Sequence, residues 1–423
     1  MVAARAWLSR IRRHESGMFS RRLKTGYFIL EGLNSFGTVY YFYYLYFYMH
    51  QRFGFDNQSN LALAALSGGS YALFAWGAGR FAQRFGYFTA LKLGYALMCS
   101  AMGVGLVVNS AAGEVGVMVL MVFGMSFTWP TLEALVSEKE PPGGLQHMIG
   151  LYNVIWAATA ALANFTGGAM LQNLGPASLF YVPMAVQFSQ LGLTVWLEKQ
   201  ARPMGLGQSA HQPSAETSAA DNHPGLSTDA HAAKARSFLR MAWLANPFAY
   251  IAINTLIAAM PGVAGRLHLS TMVAGFCGSV WCFARFAAFA GLWNWAGWHY
   301  RFRWLITSYV LLIGTFAAIL LAPNVTVLVT AQIVFGGASG LIYYSSLFYS
   351  MDVGETKGEH GGIHEAVIGL GNCAGPAAGA AALHFAPQAP NSGAFAVTAL
   401  LFLGMGGLLG TWRMGKMKTA ARV

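Results

Sequence analysis

Residues 211–225 read HQPSAETSAADNHPG and carry no large apolar side chain, in a chain of 423 residues that is 56% hydrophobic and 10% charged. An ordinary soluble domain is roughly 25% charged. With 26 Lys/Arg and 15 Asp/Glu, this chain cannot cover a water-facing surface, so lipid must solvate most of it. This excludes a soluble enzyme, a disulfide scaffold and a disordered chain. A helix that crosses a bilayer needs about 20 mostly apolar residues. Six such runs precede the polar stretch, at 25–49, 61–82, 87–109, 114–137, 146–171 and 177–197. Six follow it, at 241–265, 270–296, 304–322, 325–350, 363–387 and 393–414. The break is therefore read as a flexible linker, 198–240, between an N-terminal bundle, 25–197, and a C-terminal bundle, 241–414. Residues 1–24 form a basic arm and 415–423 a short tail. A β-barrel would show alternating segments of about 10 residues instead. The expected fold is an all-α integral membrane protein with twelve transmembrane helices in two pseudo-symmetric six-helix bundles.

Lys and Arg orient the spans. With the N-terminus inside, the inner side receives the arm, Arg80, Arg84, Lys92, Lys139, the linker, Arg301, Arg303, Lys357 and the tail. The outer side receives only Arg52 and Arg266, and Arg285 falls within a span. The expected location is a plasma membrane or bacterial inner membrane with both termini cytoplasmic. The net charge of +11 is spread over short loops rather than gathered on one polar domain, which argues against nucleic acid as a partner. Cys99, Cys277, Cys282 and Cys373 sit in apolar runs without paired spacing and are read as small core residues.

The two halves superpose at a constant offset of 212 residues. Gly79 meets Gly291, Phe123-Gly124 meets Phe335-Gly336, Gly150 meets Gly362, Gly167 meets Gly379 and Leu171 meets Leu383. Parallel six-helix repeats around a central site describe one transporter architecture. Residues 79–88, GRFAQRFGYF, lie between spans 2 and 3 on the inner side. They resemble the loop signature of the major facilitator superfamily, roughly G-x-L-A-D-R-x-G-R-K. Gly79, Ala82, Arg84 and Gly86 match; Phe81, Gln83, Tyr87 and Phe88 depart from it. The resemblance covers about residues 20–415. It implies alternating access of a small solute, with spans 1, 4, 7 and 10 lining a central cavity.

Polar side chains within spans are costly and usually face a cavity or a partner. The candidate cavity set is Asn34, Thr38 and Tyr41 in span 1; Trp129 in span 4; Asn153 and Trp156 in span 5; Tyr250 and Asn254 in span 7; Trp281 and Arg285 in span 8; Gln332, Ser339 and Tyr343 in span 10; and Asn372 in span 11. Tyr41 is singled out for stacking on a ring-bearing or amphiphilic solute, while the tyrosines nearer the outer end are read as an interface belt. Arg285, thirteen residues from Trp298, lies ~20 Å from the inner boundary. Its planar fork suits a carboxylate or phosphate; the alternative is a structural pair with Glu31. Glu31, ~9 Å deep, is the candidate proton-coupling carboxyl. Glu133 and Glu365, within about 6 Å of the inner boundary, are read as a cytoplasmic gate paired with Arg80 and Arg84. In the resembled family an acid of the loop signature helps to form such a latch, and Gln83 stands in its place here.

His360, His364 and Glu365 are read as a hinge running into span 11 rather than a metal site. Pro130, Pro183, Pro261 and Pro376 would kink their spans. No P-loop, Gly-x-Ser-x-Gly elbow or HExxH motif occurs, so neither an enzyme nor a cofactor is expected. The expected partners are a small-molecule solute, protons and the lipid bilayer, and one chain alone, a monomer, suffices. The reading is a secondary transporter of a small organic, anionic solute. The alternatives are a proton-coupled exporter of neutral or cationic amphiphiles and a non-transporting membrane sensor on the same scaffold.

Overall fold

In the computed structural model, residues 2–138, 142–207, 227–352 and 358–420 are described. Among them every regular element is a helix. The N-terminal half comprises α1 (Val2–Phe53), α2 (Asn57–Phe85), α3 (Tyr87–Gly105), α4 (Ala111–Ser126), α5 (Trp129–Ser137), α6 (Pro142–Leu174) and α7 (Ser178–Ala201). The C-terminal half comprises α8 (Ser227–Arg266), α9 (Thr271–Gly278), α10 (Val280–Asn294), α11 (Phe302–Leu320), α12 (Val325–Asp352), α13 (Gly358–Phe385) and α14 (Ser392–Ala420). Among the described residues, ten helical segments are long and apolar enough to cross a membrane, with α4–α5 and α9–α10 each counted as one. Adding α1 and α7 is consistent with twelve passes.

Local chemistry places several ends. Asp56 accepts the Ser59 N–H at 2.8 Å and starts α2. Ser110 and Ser270 cap α4 and α9 in the same way. Satisfying these first-turn donors is what an N-cap does. Gly86 turns α2 into α3 with φ +94°, a backbone geometry open to glycine alone at low cost. The fourth pass breaks at Phe127–Thr128 because Pro130 has no N–H for the Ser126 carbonyl and its ring crowds it. Pro183, Pro247, Pro261 and Pro376 sit inside helices.

Three boundaries differ from the sequence reading, one being the tail, since α14 carries helix on through residues 415–420. Residues 2–24 continue α1 as helix rather than forming a separate arm. The break at 198–240 is shorter at both ends, since α7 reaches Ala201 and α8 starts at Ser227. Residues 208–226, with His211 and His223, lie outside the described residues, as does Lys139.

The offset of 212 maps α1 onto α8, α2 onto α9–α10, α3 onto α11, α4–α5 onto α12, α6 onto α13 and α7 onto α14. The packing obeys that map. Across the halves α2 lies along α13, and α6 lies along α9 and α10, which are the same pair of elements with roles exchanged. Small residues allow the approach: Gly68 abuts the Asn372–Cys373 backbone, Gly369 abuts Ala72, and Gly168 abuts Thr271. Close backbone contact between small residues is how helices associate where lipid removes the hydrophobic drive.

Candidate functional site

Between the halves lies a cavity of about 230 Å³, somewhat under the roughly 300–1,000 Å³ of drug-sized sites. Arg285 projects into it from α10 and is only 4% exposed. Its Cζ stands 4.9 Å from the Trp156 ring centre and 4.9 Å from that of Tyr343. Phe289 and Tyr250 complete the box at 5.5 and 5.7 Å. Nη2 donates to the Tyr250 hydroxyl at 3.5 Å, and Nε has no partner. No carboxylate among the described residues lies in ion-pair reach of it. The pair with Glu31 considered from sequence is therefore not formed. Ring faces stabilise a buried guanidinium by about 0.5–2 kcal/mol each, leaving part of its fork free for an anion.

Trp156 is itself fixed. Its Nε1 donates to Asn153 Oδ1 at 2.9 Å, while Asn153 Nδ2 donates to the Ile149 carbonyl at 2.9 Å. Trp129 packs edge-on against Trp156. The box thus joins α6 of one half to α8, α10 and α12 of the other.

Acidic and amide groups share the cavity. Glu365 Oε2 accepts the Tyr71 hydroxyl at 2.7 Å, and Glu133 lines the same space. Tyr250 and Tyr343 lie within electrostatic reach of both Arg285 and Glu365. The amides of Asn254 and Asn372 bond to each other, and Asn164 Nδ2 donates to Cys282 Sγ at 2.8 Å across the halves.

Of the residues singled out from sequence, Arg285, Trp129, Trp156, Tyr250, Asn254, Trp281, Tyr343 and Asn372 line the cavity. Asn34, Thr38, Tyr41, Asn153, Gln332 and Ser339 do not. Thr38 and Ser339 bond carbonyls of their own helices, and Gln332 is fully buried away from the cavity. Tyr41 packs against Phe180 and Phe42 inside the N-terminal half, because its face of α1 points between helices of that half. The tyrosines that α1 turns to the cavity are Tyr43 and Tyr46, and both are buried rather than set in a belt.

The gate set is rearranged. Glu133 and Glu365 line the cavity instead of meeting Arg80 and Arg84, which are exposed and lie over the Trp76 and Phe85 rings. Position near the start of an apolar run does not tell which way a side chain turns, and α13 turns Glu365 to the cavity, where it meets Tyr71. Tyr71, Tyr152 and Tyr43 are cavity residues missed from sequence, where tyrosine gives no signal separating a cavity from a core position. Glu31 is 0% exposed and lies off the cavity within the N-terminal half. The described residues hold no group of three His, Cys, Asp or Glu fit for a metal; the side chain of His360 lies outside them.

Residues 27–376 match the Major Facilitator Superfamily. The fold is similar to a nucleoside transporter (TM-score 0.68, 13% identity, 92% of this chain and 99% of the other). It is also similar to a peptide transporter (TM-score 0.70, 16% identity, 93% and 95%) and to the human organic anion transporter (TM-score 0.60, 13% identity, 92% and 99%). No curated protein matches the sequence. Two halves related by one repeat meet at a largely apolar cavity that carries a few charged and amide groups, and the family match spans both halves. The chain belongs to the major facilitator superfamily, and is an integral membrane transporter rather than an enzyme.

Proposed function

We propose that the chain moves a small organic acid across the membrane by alternating access, and that the acid also carries an amino group or another hydrogen-bond donor. The observation that carries this reading is Arg285, buried in an aromatic box, without a carboxylate partner, facing a cavity that also holds Glu133 and Glu365. Its fork takes the anionic group of the solute. Trp156, Tyr250 and Tyr343 pack the body. Glu365, Glu133 and the Asn254–Asn372 pair accept from the donor end. Glu31 is the coupling carboxyl: it is enclosed without an ion partner among the described residues, and Tyr152 stands between it and the cavity.

A second reading rests on the two cavity carboxylates and the aromatic walls: export of cationic amphiphiles, with Arg285 structural. A thermal-shift panel of carboxylates, amino acids, phosphate esters, neutral sugars and cationic drugs on purified wild type and Arg285→Ala separates the two. A ligand at 100 times its Kd stabilises by about 2.7 kcal/mol. The expected outcome is a carboxylate that stabilises wild type and not the folded variant. Stabilisation of both proteins by a cationic drug alone would replace this reading with the second, and flux into liposomes separates either from a sensor.

A further inference from the structure

Buried polar groups are nearly always hydrogen-bonded. The interior of the N-terminal half breaks that rule at several atoms, and seven of them belong to five residues on three packed helices. Glu31 Oε1 and Oε2, Asn34 Oδ1 and Nδ2, Gln187 Oε1, Gln190 Oε1 and the Tyr95 hydroxyl are all buried without a hydrogen bond of good geometry, and Tyr152 is a further hydroxyl beside Glu31. The first five of these residues are each 0–1% exposed.

They meet from three helices. Glu31 and Asn34 are one turn apart on α1, and Gln187 and Gln190 one turn apart on α7, so each pair shares a face. α7 runs antiparallel to α1: Gly26 abuts Leu197 and Gly37 abuts Val186. That register sets Glu31 within about half a turn of Gln190, and Asn34 within about half a turn of Gln187. Gln190 Nε2 donates to the Leu30 carbonyl at 3.1 Å, next to Glu31 in the chain. Tyr95 on α3 interacts with both Gln190 and Glu31. Gln187 directs Nε2 to Met121 Sδ at 3.7 Å. With both glutamine nitrogens turned to other partners, their oxygens are the groups left over, and the cluster is rich in acceptors around one carboxylate.

We propose that these oxygens form a site for a desolvated monovalent cation, Na+ or K+, inside the N-terminal half and apart from the solute cavity. Hard cations take carboxylate, amide and hydroxyl oxygens. One carboxylate balances one monovalent charge, whereas a divalent ion would leave a net charge in the membrane interior. The proposal deepens the coupling role given to Glu31 above and rests on that reading only for its transport consequence.

The test is a thermal-shift titration of purified protein with NaCl and KCl against choline chloride at equal ionic strength, paired with equilibrium binding of radioactive sodium. The expected result is a saturable rise in melting temperature with Na+ or K+ over choline. Glu31→Gln removes it, and Gln190→Leu raises the apparent Kd about tenfold or more. Asn34→Ala is the second variant should Glu31→Gln fail to fold. Equal responses to all three salts, or a folded Glu31→Gln that responds as wild type does, overturn the site. Saturable binding that leaves solute flux indifferent to the cation gradient upholds the site and ends the coupling reading. Flux driven by a pH gradient, lost in Glu31→Gln, with no cation binding upholds the coupling reading and overturns the site.

Discussion

At the scale of single residues, the argument turns on what surrounds a guanidinium. Arg285 keeps its charge in a low-dielectric interior through ring faces rather than a carboxylate. The charge therefore stays available to a solute. Arg285→Lys keeps the charge and loses the fork, so solute affinity falls by about tenfold or more, the equivalent of roughly 1.4 kcal/mol or more, in binding titrations. Asn153 acts one step back by holding the Trp156 indole. Asn153→Ala removes a bond contributing about 1 kcal/mol. It should raise the solute Kd several-fold while leaving the charge preference of the ligand panel intact. A changed charge preference would show that Asn153 does more than position the indole.

Helix ends and breaks carry the next set of expectations. Asp56→Ala deletes the α2 cap and should cost about 1 kcal/mol in denaturation of the purified protein. The Ser59 backbone N–H, and more weakly the Ser59 side chain, hold the Asp56 carboxyl below its ordinary value against a smaller effect of burial. A carboxylate depressed in the folded state stabilises above its unfolded pKa, and that stability drains as pH falls through the folded value. The difference between wild type and Asp56→Ala should thus shrink on acidification below about pH 4. Gly86→Ala forces a side chain into φ +94° and should cost about 1–3 kcal/mol. The same substitution at Gly77, in the helix interior with nothing within 4 Å of its Cβ position, should be neutral or stabilising by comparison.

At the scale of the whole molecule, the halves are tied at the end bearing Arg52 and Arg266. Gln51 donates to Thr271 Oγ1 at 2.8 Å, the Met272 N–H to Gln172 Oε1 at 3.1 Å, and Tyr43 and Tyr44 seat against Gly278 and Gly275. Alternating access requires these contacts to part and re-form. A Cβ at Gly168 would sit 2.5 Å from the Thr271 carbonyl oxygen. Gly168→Val should therefore hold that end apart, stopping flux while solute binding in detergent survives. Gly116→Val, with open space around it, is the control. Loss of binding along with flux in Gly168→Val would mean that the seam shapes the cavity and does not merely close it.

The sequence by itself determined the all-helical membrane class, the series of apolar spans and the repeat. Each depends on quantities local to the chain: the length of an apolar run against the thickness of a bilayer, a polar stretch, and glycines recurring at one offset. It also marked Arg285, since a lone cation within a span is conspicuous whatever lies beside it. Rotation and register were decided only by the tertiary structure. Span 1 carries tyrosine on nearly every side, so periodicity could not tell that Tyr43 and Tyr46 face the cavity while Tyr41 faces Phe180. Glu133 and Glu365 are near the ends of apolar runs and so looked like gate residues, and only the packing of α5 and α13 against the other helices turns both to the cavity. The polar groups around Glu31 come from α1, α3 and α7, brought near one another by antiparallel packing of segments well more than a hundred residues apart in the chain. Which face a helix turns inward is set by the shape of its neighbours, and no single span contains that information.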